Sequence, residues 1–364
     1  MARMSAEARK QLDAFKAATV KHPRLQEVDD RISRAIEEKG DAAHLLVYGP
    51  SGAGKTRMAE QVTQRINEEE RQAGTVPMIK IEARSSDSGA YVRLDYYRQV
   101  LMKLKDQLVV RELLLNPTLT AKPTRLGKNG YDWVEIREGL EQAYRALQVK
   151  AVIIDEAEHM MHTDADGKPV DQLDWLKSIT NHTGVLHILV GPYTLVDFRN
   201  LEPQVSRRGR DVHFSRYHLE NPTERMEYVG ALRYLLERLP LTCEVNTWLE
   251  RWRWFGELSL GCVGLLKSWL VDTATATLAS GGTELTLEEL QANVLDPGQR
   301  ITIEMNARAG EHKLAVALAE SQKLEQELWG RSATTPSTAP SVATPPPPKK
   351  RPGRKPKQDP TGGG

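Results

Sequence analysis

Cysteine is nearly absent from this chain. Only Cys243 and Cys262 occur among 364 residues, which excludes a disulfide framework and points to a reducing compartment. No apolar run approaches the roughly 18 residues that a membrane span needs. The opening "MARMSAEARKQLDAFKAATV" is charged and helix-like, without the apolar stretch of a signal peptide. A soluble cytoplasmic chain with no membrane partner is therefore expected. Paired CxxC or HExxH spacings are missing as well, so no metal-ligand cluster stands out. Net charge is small, +1 overall, but unevenly spread: from Arg331 onward there are seven Lys/Arg and one Asp, a net +6, which leaves −5 for residues 1–330. A mildly acidic body with a basic tail suggests an anionic partner for the tail.

What is present is an alternation of helix-like and strand-like segments. Residues 1–40 predict two amphipathic helices, the first stopped near "KHPR" by Pro23. Strands are expected at "HLLVY", "PMIKIEAR" (77–84), "AVIID", "GVLHILVGP" (184–192) and "DVHFSRYHL" (211–219). Three of the five are unbroken apolar runs, as buried parallel strands require. Strands alternating with helices predict a parallel three-layer α/β sheet. The chain then divides into an N-terminal helical segment (1–40), an α/β domain (41–220), a helical domain (221–300), a C-terminal helix (301–330) and a tail (331–364). That tail is too rich in Pro, Thr and Ser to form a core and reads as disordered.

The strongest chemical signal is Gly49-Pro50-Ser51-Gly52-Ala53-Gly54-Lys55-Thr56, a full GxxxxGK[ST] match between a strand and a helix. Its glycines let backbone N–H groups wrap phosphates, helped by the dipole of the following helix, which continues with Arg57. Lys55 would neutralise the β- and γ-phosphates of ATP, and Thr56 would hold Mg²⁺. The second signal is "AVIIDEAEHM", which sets Asp155 and Glu156 at the carboxyl end of a buried strand, where ligands sit in such sheets. Asp155 suits Mg²⁺ coordination and Glu156 suits polarising the attacking water, the division that phosphoryl transfer needs. Three arginines in "SRRGR" precede the fifth strand. Arg207 or Arg208 would supply a charge-neutralising finger to a neighbouring subunit's ATP; a solvated turn is the competing reading.

Together, "GPSGAGKT", "VIIDEAEHM", a strand ending at "LVGP", the arginine pair and a helical lid resemble an AAA+ ATPase. The upstream "KHPRLQEVDDRISRAIEEKGDAAHLLVYG" and the lid's "LSLGCVGLLKSWLVDTATATLASGGTELTLEEL" look like the transposition regulators of the TniB/TnsC kind, found in Tn7-like, Tn5053-like and CRISPR-associated transposons. The resemblance covers about residues 15–295. It implies a P-loop AAA+ parallel five-stranded sheet flanked by helices, a C-terminal helical lid and a disordered basic tail. It further implies a Mg²⁺-dependent ATPase that forms rings or filaments around duplex DNA. Such an assembly links a TniQ-type target-selection protein to a DDE transposase, and hydrolysis takes it apart. Two positions depart from the pattern. After the fourth strand "VGPYTL" offers only Tyr193 or Thr194 as a sensor, and Lys267 stands where the lid's nucleotide-sensing arginine is expected.

The family reading requires a surface facing DNA. Arg98, Lys103 and Lys105 on a helical stretch would meet phosphate, salt-sensitively and with little sequence selectivity; a solvated helix face is the plainer alternative. In the tail, "KKRPGRKPKQ" resembles an AT-hook, with Arg351, Arg354 and Lys355 as the cations for a narrow minor groove. A generic basic tail or a protein-docking peptide stays open. Outside transposition, the same features suit another DNA-linked AAA+ ATPase of the helicase-loader or origin-binding type, or a signalling P-loop ATPase without a DNA role.

Overall fold

The computed structural model describes residues 4–38, 42–70, 72, 74–85, 89–104, 131–163, 167–199 and 209–329. One compact unit runs to Leu314 and a second begins at Ala315.

The sheet contains β1 (His44–Tyr48), β2 (Met78–Glu82), β3 (Ala151–Asp155), β4 (Leu186–Gly191) and β5 (Gly209–His213). All neighbours are parallel, in the order β2-β3-β4-β1-β5. The three central strands are buried at every position, which explains their unbroken apolar sequences. The edge strands carry exposed or half-buried polar residues, Lys80 in β2 and Arg210 and Asp211 in β5, whereas His44, Asp155 and His187 of the central strands are buried. Alternate residues of one strand serve opposite layers. Leu45 and Val47 pack with α2 (Pro23–Glu37) and α3 (Lys55–Glu70). Leu46 and Tyr48 join α4 (Arg93–Leu104), α5 (Tyr131–Ala146) and α6 (Pro169–Thr183). A short helix, α7 (Leu195–Arg199), follows β4.

One polar thread crosses the second layer. The ring of His187, in β4, is held between the Tyr96 hydroxyl at 2.7 Å and Thr180 Oγ1 at 2.9 Å. Thr180 in turn donates to the Ala43 carbonyl at 3.1 Å. Burial pushes the imidazole down to about 3, so it stays neutral and fixes α4 and α6 to the sheet.

After β5 the chain is helical: α8 (Pro222–Arg238), α9 (Val245–Leu249), α10 (Trp252–Leu258), α11 (Val263–Ser280), α12 (Leu287–Ala292) and α13 (Pro297–Trp329). Asn221 caps α8 by accepting from the amides of Thr223 and Glu224, so the lid starts where "NPTE" predicts. It has its own core, built on Tyr228, Leu232, Phe255, Leu266 and Leu270.

Four expectations are corrected. Pro23 does not stop the first helix: α1 (Ala6–Ala17) ends six residues earlier, and Pro23 opens α2 at its first position, where a missing N–H costs nothing. Residues 1–40 are not one segment either. Leu12 and Phe15 of α1 are buried in the lid core, while α2 packs on the sheet. The fifth strand begins two residues before Asp211 and ends at His213. The C-terminal helix starts at Pro297 rather than residue 301. The expected helix over 91–115 is α4 as far as Leu104, and its remainder lies outside the described residues. In the second unit the last turns of α13 expose Leu318, Leu324, Leu328 and Trp329.

Candidate nucleotide site

The site begins where β1 runs out. Gly49 and Pro50 are buried, and the loop they open closes onto α3 through the Met58 amide, which donates to the Gly54 carbonyl at 2.9 Å. Gly52 and Gly54 have φ of +80° and +102°, a backbone that only glycine adopts without strain. Nothing lies within 4 Å of where a Gly54 side chain would begin. The loop thus keeps an open cradle of backbone at the start of α3. Lys55 folds back across it, donating to the carbonyls of Gly49 at 3.0 Å and Pro50 at 2.9 Å. Burial lowers its pKa, and the nearby Glu156 and Glu158 carboxylates oppose that shift. Thr56 is exposed at the second position of α3.

The acids come from the end of β3. Asp155 is 3 % exposed. Its Oδ1 accepts from the Glu156 amide at 3.1 Å, and its Oδ2 pairs with Lys80 at 3.2 Å. Glu156 then turns left-handed, with φ 51° and ψ 38°. A non-glycine residue in that region is strained, and the turn is what lets the chain leave the strand with Glu156 lining the cleft. Glu158, two residues on, is pushed up to about 7 by burial and by its hydrogen bond with Glu156. Ligand atoms of Glu156, Glu158 and His159 lie within 4.8 Å of one another.

These parts bound a cleft of about 720 Å³ whose lining includes Ser51, Gly54, Lys55, Thr56, Glu156 and Glu158, with Lys267 and Asp272 from the lid. The lid touches the loop directly: the Leu265 amide donates to the Gly52 carbonyl at 2.9 Å. Two cations of the rim hold the end of α1. Lys267 Nζ donates to the carbonyls of Lys16, at 2.7 Å, and Ala18. Arg57 reaches Thr19 Oγ1 at 3.1 Å and the Ala17 carbonyl. Cations at a helix C-terminus are favoured by its dipole.

The structure thus brings Ser51, Gly52, Gly54, Lys55, Thr56, Arg57, Glu156 and Lys267 to one cleft; Asp155 is buried beside it and bonded to the Glu156 amide. Arg98 is half-buried and Lys103 exposed on α4, and neither lines the cleft. Tyr193 is buried and bonded to His213 at 2.8 Å; Thr194 is exposed. Arg207, Arg208, Lys105, Arg351, Arg354 and Lys355 lie outside the described residues. Two site residues escaped the sequence reading, Glu158 and Lys80. A lysine inside the apolar "MIKIE" was the available signal for Lys80, because a half-buried cation needs a buried anion. Lys80→Ala should leave Asp155 buried without its cation and cost about 2–4 kcal/mol, measured by urea unfolding; a loss within 0.5 kcal/mol, roughly the scatter of surface substitutions, would leave the pair without structural weight.

A parallel sheet with β1 between β4 and β5, a glycine loop at the tip of β1, an acid pair at the tip of β3 and a helical lid define the AAA+ P-loop fold. Residues 37–198 match the family model described as an AAA domain. Over 143 residues the chain is 31% identical to replication factor C subunit 5 of Neurospora crassa, which covers 37% of this chain and 34% of that protein; the match spans about a third of the relative's length. Among solved structures, the Aeropyrum pernix ORC2 protein in its ADP form superposes with a TM-score of 0.52 at 18% identity, over 78% of this chain and 71% of that one. The same protein in its ADPNP–ADP complexes gives 0.50 at 17% identity, over 79% and 71%. At these identities the likeness is one of fold. Among the described residues, no helix is long and apolar enough to cross a membrane.

Proposed function

We propose that this chain is a Mg²⁺-dependent ATPase that assembles on duplex DNA and regulates DNA transposition. The observation that carries the ATPase reading is the cleft that joins the glycine loop and Lys55 to Glu156, whose amide donates to the buried Asp155 carboxylate. Its residues fit a nucleoside triphosphate: the Gly54 cradle is open, and among the described residues Lys55 bonds two carbonyls that phosphate oxygens can replace. The backbone amides of the loop would bind the phosphates. Thr56 and Asp155 would hold Mg²⁺, whose bound charge offsets that building on the phosphates. Glu156 would orient the attacking water and take its proton. Arg207 or Arg208 would complete the site from a neighbouring subunit, which makes turnover a property of a homo-oligomer.

Transposition is favoured by the sequence resemblance over about residues 15–295 and by the net positive tail, a fitting anchor for DNA. A TniQ-type selector and a DDE transposase are the partners this reading requires. A replication role is the second reading, favoured by the likeness to replication factor C subunit 5. Negative-stain microscopy with a slowly hydrolysed ATP analogue, with and without duplex DNA, tests the shared core. Rings or filaments on DNA only when nucleotide is present are expected; monomers indifferent to both would overturn it. Co-assembly of those particles with a transposase and TniQ-type selector supports the transposition role, whereas a replicative helicase as sole partner refutes it.

A further inference from the structure

A second, smaller pocket of about 60 Å³ adjoins the cleft and shares Gly54, Arg57, Gly264 and Lys267 with it. A ligand bound at Lys55 can therefore extend past Gly54 into this space. Much of its wall is apolar: Val20, Leu25, Met58, Phe214 and Val263 are all buried. By the same measure of volume it has room for about four waters, enough for the edge of a planar ring whose sugar side faces the wider cleft. The wall from Thr19 to His22 is fixed in advance, because Arg57 and Lys267 pin the preceding end of α1.

One polar atom in this pocket is unspent. Gln61, one turn beyond Arg57 on α3, lines it, and its Oε1 is buried with no hydrogen-bond partner among the described residues. His22, also in the wall, already bonds the Tyr217 hydroxyl through Nδ1 at 3.0 Å, and burial lowers it to about 4, so it stays neutral. A buried acceptor with no donor is costly, and a ligand that brings a donor removes that cost. Next to a phosphate cradle, an apolar slot with a single free acceptor suits a heteroaromatic base that carries an exocyclic amine.

We propose that Gln61 reads the base: its Oε1 accepts from the 6-amino group of adenine. With the amide oriented as it stands, a purine with a carbonyl at that position sets acceptor against acceptor and is disfavoured. This inference rests on the nucleotide reading of the cleft and adds a base-specificity residue to it.

The test is competition of ATP and inosine triphosphate, with Mg²⁺, against a fluorescent ATP analogue on the full chain. The two differ at the purine 6-position, amine against carbonyl, and in the proton that inosine carries on N1. The wild type should favour ATP by at least about tenfold. Gln61→Leu should bring the two affinities to within about threefold, by a loss on the ATP side. Gln61→Glu, which keeps an acceptor and a similar shape, should keep ATP ahead and guards against a Gln61→Leu chain that fails to fold. Equal affinities in the wild type, or an unchanged preference in Gln61→Leu, would overturn the role of Gln61 and leave the ATPase reading standing. Absence of binding by either triphosphate would sink both.

Discussion

Glu156→Gln should bind ATP as the wild type does and hydrolyse it at least about a hundredfold more slowly, about 2.7 kcal/mol in the barrier. The amide matches the carboxylate in size but cannot take a proton. The backbone that presents it is set by its neighbours, with the Asp155 carboxylate bonded to the Glu156 amide and the left-handed turn at φ 51°. The phosphate cradle, made from Gly49 to Lys55, is untouched by the change. Binding and chemistry should therefore separate, and the variant should accumulate in its ATP-bound assembly. Phosphate release by a single-turnover assay checks the rate, and equilibrium binding checks the affinity. Turnover within tenfold of the wild type would remove Glu156 as the base.

The second large effect is expected where the lid meets the loop. Inside a helix, Gly→Ala ordinarily stabilises by about 1 kcal/mol. At Gly264, the second residue of α11, the sign should reverse. A Cβ there would stand 2.3 Å from the Gly52 carbonyl oxygen and 2.9 Å from the Gly54 amide nitrogen, and both are backbone that cannot swing aside. Gly264→Ala should push α11 off the loop, break the Leu265–Gly52 bond, and cost about 1–3 kcal/mol. ATP affinity should fall at least about tenfold, because Gly264 and Lys267 border the cleft on the lid side. Thermal unfolding and nucleotide titration measure both. A variant as stable as the wild type, with unchanged affinity, would show that the lid does not need this approach.

The parts of the site that could be read from the chain are those written within a few consecutive residues. GPSGAGKT carries its own backbone requirement in its glycines, and "VIIDE" announces both a buried strand and the acids at its tip. The order of strands and helices followed from the same local periodicity. What could not be read depends on contacts between distant segments. Lys80 sits beside Asp155 only because β2 and β3 pair in register, Glu82 opposite Asp155. Glu158 looks like one more acid on a polar turn until the fold buries it against Glu156. The fifth strand was misjudged at both ends because an edge strand with Arg210, Asp211 and His213 lacks the apolar run that marks a central one. Helix α1 was grouped with α2 by adjacency, although its apolar face, Leu12 and Phe15, matches a core that forms more than 200 residues later.

That last arrangement sets an order of events during synthesis. Helix α1 leaves the ribosome well before its partners, and Phe15 finds its core only when α11 has been made, about 250 residues later. At 5–20 residues per second its apolar face waits about 12–50 seconds. In the interval α2 and the sheet can close around their own core, while α1 stays tethered by the short link that crosses the nucleotide rim. Closing so long a loop is slow to nucleate. The Lys267 contacts to the end of α1 therefore form among the last, and the nucleotide rim is finished only when α11 has met α1.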